Sequence, residues 1–338
     1  MRKDGKPVVY WLISGCVLIF IMVIVGGITR LTHSGLSISN YKLISGTIPP
    51  ITHAEWQDAF DLYKQYPEYK KLNTSFILDD FKAIYFWEWL HRVIGRLIGV
   101  VFIVPFLYFV ITKRLSRSTL KKSVVLLCLG AFQGFLGWYM VKSGLVDKPD
   151  VSHYRLAAHL TTAFVTFAYT LWVVLDLKFS DIKPPHVPFR NMLRYFLIIL
   201  LIQIIYGAFV AGLDAGFIHN HWPMMSEGKF IHETVYSELQ PLYKNFIEGK
   251  SGVQFIHRTL AITVLFFSIF IYKKSKTLKL TVYQNKGVQL LVIAIGIQFL
   301  LGILTLMLQV PIVLGVAHQL GAFILLSATV FTLHRFSK

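Results

Sequence analysis

Long runs of apolar residues alternate with polar segments along almost the whole chain. Eight of these runs are long enough, at roughly 20 residues each, to cross the hydrocarbon core of a bilayer as α-helices. Backbone polar groups in lipid must be satisfied within the segment, so the pattern predicts an all-α integral membrane protein with eight transmembrane helices. The predicted spans are Val8–Gly27, Tyr85–Ile111, Ser123–Lys142, His153–Leu175, Leu193–Leu213, Val253–Tyr272, Gly287–Gln309 and Ile312–His334.

Two connections on one side of the predicted bundle are much longer than the others, and they cover residues 29–84 and 214–252. The first contains Trp56, Phe60 and Tyr63 at helical spacing. This spacing indicates an amphipathic helix lying on the membrane surface. A solvated loop with a few buried aromatic side chains accounts equally well for the same pattern.

Composition and charge agree with a membrane protein. Of the 338 residues, 55% are hydrophobic and only 15% are charged, which is far from the balance of a soluble domain. The net charge of +17 suggests nucleic acid at first, but the side of the N-terminus holds 19 of the 34 Lys and Arg residues and only 3 of the 17 acidic ones. This is the positive-inside pattern. It predicts cytoplasmic N- and C-termini, a multi-pass protein of the bacterial inner membrane, the lipid bilayer as a partner, and no nucleic acid.

An internal repeat relates the two halves of the chain. The second predicted helix contains Leu90–Val93 (LHRV), and the sixth contains Ile256–Thr259 (IHRT). The third and seventh helices share a Gln followed four residues later by a Gly, and the fourth and eighth share an Ala-His pair followed by an Ala-Phe pair. Each copy has four helices, an even number, so both copies face the same way. The repeat predicts two four-helix bundles, over residues 1–176 and 177–338.

Four of the twelve histidines lie inside predicted helices at one depth: His91, His159, His257 and His318. An ionisable side chain in a membrane span is costly and usually faces the bundle interior. A neutral imidazole can ligate iron, and helical bundles hold haem between histidines of different helices. A lone membrane histidine is more often a packing residue, but the duplication favours two ligand pairs, His91 with His159 and His257 with His318. Copper or zinc can use such ligands, although two histidines alone are too few for a closed zinc site.

The two halves differ beside their first histidine. Glu88 precedes His91 by three residues on the same helical face, whereas the second copy has Gln254. A desolvated carboxylate next to haem can shuttle protons or assist attack of water on an oxidised carbon. The alternative is a structural ion pair between Glu88 and Arg92. Arg92 and Arg258 lie at the helix mouths, where arginine can bind haem propionates in a bidentate manner.

Five segments of the chain form a recognisable set of motifs: GGITRLTHSGLS (26–37), FKxIYxxEWxHRxxGR (81–96), GLDAG (212–216), NxWPxM (220–225) and IHR (256–258). Together they resemble the motifs of the haem A synthase family. The resemblance covers essentially the whole chain and is nearest to the branch with long first and third outer loops, which many proteobacterial-type and mitochondrial members share. Many bacterial members have a cysteine pair in an outer loop, which this chain lacks because Cys16 and Cys128 both fall in apolar helices.

The resemblance implies an oxidoreductase that oxidises the C8 methyl group of haem O to a formyl group by successive hydroxylations, giving haem A for cytochrome oxidase. By position, His257 and His318 would ligate the iron of a resident haem b. His91 and His159 would mark the site of the substrate haem O, with Glu88 as the catalytic carboxylate. The partners implied are a haem O synthase, an electron-transfer protein and, in a homo-oligomer, a second copy of the chain.

Two other classes of protein fit parts of the pattern. A b-type cytochrome that relays electrons from quinol without modifying haem needs two similar haem sites, and the difference between Glu88 and Gln254 argues against it. A parallel-repeat transporter predicts polar groups near the bilayer midplane. The polar residues here cluster at the outer helix mouths instead.

Overall fold

A computed structural model describes residues 3–38, 45–144, 151–179 and 186–337. Over these ranges the chain is helical and forms no β-strand longer than an isolated bridge. Eight of the described helices are long and apolar enough to cross a membrane, as predicted. They are α1 (Lys6–Leu31), α4 (Leu78–Ile111), α5 (Arg117–Gly144), α6 (His153–Lys178), α7 (Val187–Gly212), α9 (Lys250–Ser275), α10 (Val282–Met307) and α11 (Ile312–Ser337).

The long connections contain shorter helices. In the first lie α2 (His53–Tyr63) and α3 (Pro67–Lys71), and in the second lies α8 (Thr234–Ser237). The helix predicted around Trp56 therefore exists as α2, and its N-terminus carries a capping box between Thr52 and Glu55.

The transmembrane helices extend beyond the spans predicted from their apolar cores. A helix of 26 residues, such as α7, is about 39 Å long, whereas the hydrocarbon core is about 30 Å thick. The largest difference is in α4, which begins at Leu78 and not at Tyr85. Its first turns contain charged residues that an apolar pattern excludes, and one of them, Asp80, caps the helix by accepting the Ile77 N–H at 3.0 Å.

The chain divides into two compact units, Met1–Arg155 and Leu156–Lys338. In the first unit, α1 and α5 both pack against α4. In the second, α10 packs against α9 and α11, and α7 also packs against α9 and α11. Helix α6 reaches α11 through Phe167 and Phe323, whose ring centres are 3.8 Å apart. The expected arrangement of two parallel four-helix bundles divided after residue 176 stays a prediction.

A proline inside α4 is compensated from α1. Pro105 has no N–H, so the carbonyl of Val101, four residues earlier, loses its usual helical donor. The indole N–H of Trp11 donates to this carbonyl at 3.1 Å. An unpaired carbonyl in lipid costs roughly several kcal/mol. The hydrogen bond from Trp11 to Val101 therefore explains why α1 carries a tryptophan at this position.

Candidate haem-binding site

The side chains of His257 and His318 face each other within the second unit. His257 lies in the N-terminal third of α9 and His318 in the N-terminal third of α11. Their ring centres are 6.4 Å apart and their ring planes are nearly perpendicular, at 84°. The Nδ1 atoms of both rings are buried, and neither has a hydrogen-bond partner among the described residues.

This separation fits two imidazoles on opposite sides of one metal ion. A metal–imidazole bond of about 2.0 Å, with the ring centre about 1.1 Å further on, separates two axial ring centres by roughly 6.2 Å. The observed 6.4 Å agrees with this value. The described residues contain no cluster of three or more His, Cys, Asp or Glu side chains arranged for a metal ion, so the donor set suits a haem iron better than a bare zinc ion.

Each of these histidines packs against a glycine of the neighbouring helix. A methyl group added at Gly207 on α7 would lie 3.2 Å from Cε1 of His257, and one added at Gly302 on α10 would lie 2.9 Å from Cε1 of His318. The first unit has the same arrangement, with Gly26 on α1 at 3.1 Å from Cε1 of His91 on α4. The sequence analysis did not identify these three glycines as site residues.

Arg258 uses its guanidinium to hold the outer loop after α7. Its Nη1 donates to the carbonyls of His221 at 3.0 Å and Met224 at 3.3 Å, and its Nη2 donates to the carbonyl of His219. The neighbouring Gln254 donates its amide to the carbonyl of Ala215 at 2.8 Å. Both side chains are buried. The expected role of Arg258 as a propionate partner stays a prediction.

Glu88 and Arg92 hold the corresponding loop of the first unit. Glu88 is 3% exposed. Its Oε2 accepts the Ser37 hydroxyl at 2.7 Å and the Ile38 N–H at 2.8 Å, and its Oε1 accepts Nη2 of Arg92 at 2.6 Å. Arg92 also donates to the Ile38 carbonyl at 3.0 Å. The ion pair between Glu88 and Arg92, the alternative raised by the sequence, is therefore present. We call these two side chains, with their bonds to Ser37 and Ile38, the loop anchor of the first unit, and Gln254 and Arg258 the loop anchor of the second.

The two anchors extend the internal repeat to the first helix of each half. Gly26 corresponds to Gly207, and the carbonyl of Ile38, bound by Arg92, corresponds to that of His219, bound by Arg258, with an offset of 181 residues in both cases. The offset between His91 and His257 is 166 residues. The segment between the loop-binding carbonyl and the histidine is therefore 15 residues longer in the first half than in the second, so a search at one fixed offset does not find this correspondence.

The other predicted site residues lie in different units. His91 is half-buried on α4, in the first unit, while His159 is half-buried on α6, in the second unit. His159 lies in the N-terminal third of α6, whereas His91 is the fourteenth of the 34 residues of α4, because α4 begins seven residues before its predicted span. Their pairing on one substrate haem stays a prediction.

An aromatic cluster fixes α2 on the outer extension of α4. Phe60 and Tyr63 of α2 stack on Phe81 of α4, with ring centres 5.2 Å and 5.1 Å apart, and Trp56 meets Tyr85 at 5.1 Å. Phe81 lies two helical turns before Glu88 on the same face. The cluster therefore packs on the face of α4 that also carries Glu88.

Glu68 is the buried carboxyl group of this outer region. Glu68 is the second residue of α3 and is 5% exposed. Its Oε2 has no hydrogen-bond partner among the described residues. Burial and, to a smaller extent, the negative charge of Glu88 raise the pKa of Glu68 to about 7, while the Tyr63 hydroxyl opposes the shift. The folded protein therefore holds a proton on Glu68 at pH values where the unfolded chain has lost it.

We expect the region around α2 and α3 to become less stable as the pH rises from about 4.5 to about 7. Because the folded state binds more protons than the unfolded state in this window, stability is highest below the unfolded pKa and is lost as the pH passes the folded pKa. Glu68→Gln should remove this dependence. Hydrogen exchange of residues 53–71, compared between variant and wild type at each pH, measures it. The exposed Glu227→Gln is the control, and an unchanged pH dependence in Glu68→Gln contradicts the expectation.

The fold and the histidines together define a class of protein. It is a multi-pass membrane protein whose described part has eight helices long enough to span the bilayer, and two of these helices present facing histidines. The chain belongs to the cytochrome oxidase assembly protein family (COX15-CtaA), whose model matches residues 9–330.

Curated relatives named heme A synthase match the chain over its whole length. The protein of Flavobacterium johnsoniae is 60% identical over 100% of both chains. That of Parvibaculum lavamentivorans is 43% identical over 99% of this chain and 96% of its own length. That of Wolbachia pipientis wMel is 41% identical over 98% of this chain and 93% of its own length. The resemblance found in the sequence motifs is confirmed.

Proposed function

We propose that this protein is a haem A synthase, an oxidoreductase that converts the C8 methyl group of haem O to a formyl group by successive hydroxylations. The name of the full-length relatives supports the production of haem A. The single structural observation that carries the proposal is the facing pair of His257 and His318, whose 6.4 Å ring separation suits a haem iron.

In this proposal His257 and His318 hold a resident haem b. The bound haem b supplies one-electron transfer through its iron. The protein's part is to position the helices that carry the imidazoles: Gln298 of α10 donates to the backbone carbonyl of His318 on α11 at 2.9 Å. Arg258 holds the loop that covers this end of the bundle and supplies a positive charge for a propionate.

His91 and His159 are proposed to bind the substrate haem O, and Arg92 to contribute positive charge toward a propionate. Conversion of a methyl group to a formyl group, with the oxygen atom taken from water, replaces two C–H bonds with one C=O bond and releases four electrons and four protons. The electrons pass to the electron-transfer partner, and the protons need an acceptor at the site. Glu88 is the buried carboxyl group three residues before His91, and three hydrogen bonds hold it in position. We assign Glu88 the role of proton acceptor.

The proposal places the protein in the bacterial inner membrane with cytoplasmic termini. The expected partners are a haem O synthase, because haem O is apolar and must arrive through the bilayer, and an electron-transfer protein. The apolar outer faces of the spans permit a homo-oligomer as well.

Pigment analysis of cells tests the function. A strain that lacks this gene should accumulate haem O and no haem A, and the gene supplied on a plasmid should restore haem A. Haems extracted in acidic acetone and separated by chromatography give both amounts. A strain that keeps wild-type haem A without the gene contradicts the synthase assignment. Haem b in the purified protein without any effect on cellular haem A supports the electron-relaying cytochrome instead.

A further inference from the structure

Three glycines each meet the imidazole edge of a predicted haem ligand. The ideal Cβ position at Gly26, Gly207 and Gly302 lies 2.9 to 3.2 Å from Cε1 of the facing histidine and 3.5 to 3.8 Å from its Nδ1. Carbon atoms in contact are normally about 3.5 to 4.0 Å apart. A methyl group at any of these positions would therefore push the imidazole ring.

Other glycines of the transmembrane helices fall into two groups. The ideal Cβ positions at Gly95, Gly287 and Gly321 meet Met22, Thr332 and Gln298, whereas those at Gly15, Gly99, Gly130, Gly134 and Gly296 have no atom within 4 Å. Gly296 lies on α10, as Gly302 does, so the two differ in what they face and not in the helix that carries them. Close contacts therefore occur at other glycines too, and Gly207 and Gly302 are distinguished by the imidazole ring that each one meets.

Gly207 and Gly302 also share a second feature, a glutamine four residues earlier. At this spacing both side chains lie on one helical face. Gln203, before Gly207, approaches Nε2 of His257 at 3.5 Å, and Gln298, before Gly302, donates to the carbonyl of His318 at 2.9 Å. Each histidine is therefore contacted from one neighbouring helix by a glutamine and a glycine together.

We propose that Gly207 and Gly302 are positioning residues that set the rotation of the His257 and His318 rings on the haem iron. The glycines leave room for the Nδ1–Cε1 edge of each ring, and the ring orientation in turn sets the ligand field and the reduction potential of the iron. Gly26 has the same relation to His91. The inference rests on the proposed function in taking His257 and His318 as ligands of haem b.

Spectroscopy of the purified full-length protein tests the inference through Gly207→Ala and Gly302→Ala, with Gly296→Ala as the matched control. We expect both variants to shift the highest g value of the low-spin haem and its midpoint potential, more for Gly302→Ala because its contact is shorter. Gly296→Ala should reproduce the wild type. Wild-type g values and potentials in both test variants overturn the proposal.

A double-mutant cycle separates this inference from the proposed function and does not depend on bound haem. Gly302→Ala is measured for thermal stability in the wild-type chain and in a His318→Ala chain. We expect Gly302→Ala to lower the melting temperature of the former but to be nearly neutral in the latter, where no ring opposes the new methyl group. Equal effects in both backgrounds refute the contact. If the purified wild-type protein shows no haem b spectrum, the proposed function is refuted. The double-mutant cycle still tests the contact between Gly302 and His318 in that case, because it measures thermal stability and not bound haem.

If Gly302→Ala fails to accumulate in the membrane, Gly207→Ala and its cycle with His257→Ala replace it, since the Gly207 contact is longer by 0.3 Å. Recovery of protein levels when His318→Ala is added to Gly302→Ala supports the proposal as well. Failure of Gly302→Ala to accumulate with or without His318 counts against it.

Discussion

His257→Ala and His318→Ala are each expected to remove the low-spin haem b spectrum from the purified protein. A low-spin haem of this type needs an imidazole on both sides of its iron. The two rings lie 6.4 Å apart and face each other. Loss of one ring leaves one axial position without a protein ligand.

Visible and low-temperature EPR spectra of the variants measure this effect, and a haem assay normalised to protein separates a lost ligand from lost haem. His53→Ala is the control because His53 is exposed at the start of α2. We expect its spectrum to match that of the wild type. A wild-type spectrum in either His257→Ala or His318→Ala would place the resident haem at another site.

The transmembrane helices were predictable because lipid imposes a simple rule on the sequence. An apolar run of about 20 residues must form a helix to satisfy its backbone, and all eight runs do so. The helix ends were less predictable. The outer extension of α4 lies beyond the apolar run, and its helical structure depends on the Asp80 cap and on packing of Phe81 against Phe60 and Tyr63.

The candidate site was predictable in its histidines but not in their surroundings. Duplicated histidines at one depth are visible in the sequence, since spacing along a helix determines depth. The loop anchors of Arg92 and Arg258 are tertiary contacts to backbone carbonyls, and backbone acceptors leave no signature in residue type. The glycines that face His257 and His318 do have a sequence signature: on both α7 and α10 a glycine follows a glutamine by four residues. This spacing was noted on α10 as part of the repeat but was not connected with ligand packing.

The comparison of Glu88 with Gln254 gives the carboxylate two separable roles. Both side chains hold the loop after the preceding transmembrane helix: Glu88 accepts from Ser37 and Ile38, whereas Gln254 donates to Ala215 and Ile218. The loop-holding role therefore does not require a negative charge. A charge at this position in the first half alone calls for a second explanation, and proton transfer from the substrate supplies one.

Glu88→Gln is expected to stop haem A formation while leaving the haem b spectrum unchanged. The amide keeps the size of the side chain and an oxygen that can accept the Ile38 N–H, but it cannot take up a proton. Removal of a general base typically slows a reaction by about 10²- to 10⁴-fold. Haem O or a hydroxylated intermediate should accumulate in the cells, and haem extraction followed by chromatography measures each species.

Ser37→Ala is the matched control because it removes one hydrogen bond from the same carboxylate oxygen and leaves the charge in place. We expect Ser37→Ala to form more haem A than Glu88→Gln, because the Ile38 and Arg92 bonds remain. Even complete loss of the roughly 1.5 to 3 kcal/mol of a hydrogen bond to a charged group slows the reaction by only about 10- to 150-fold. If Glu88→Gln forms haem A at the wild-type level, Glu88 acts only as a loop anchor, as Gln254 does. If Ser37→Ala and Glu88→Gln are equally inactive, the position of the loop, and not the proton on the carboxylate, controls the reaction.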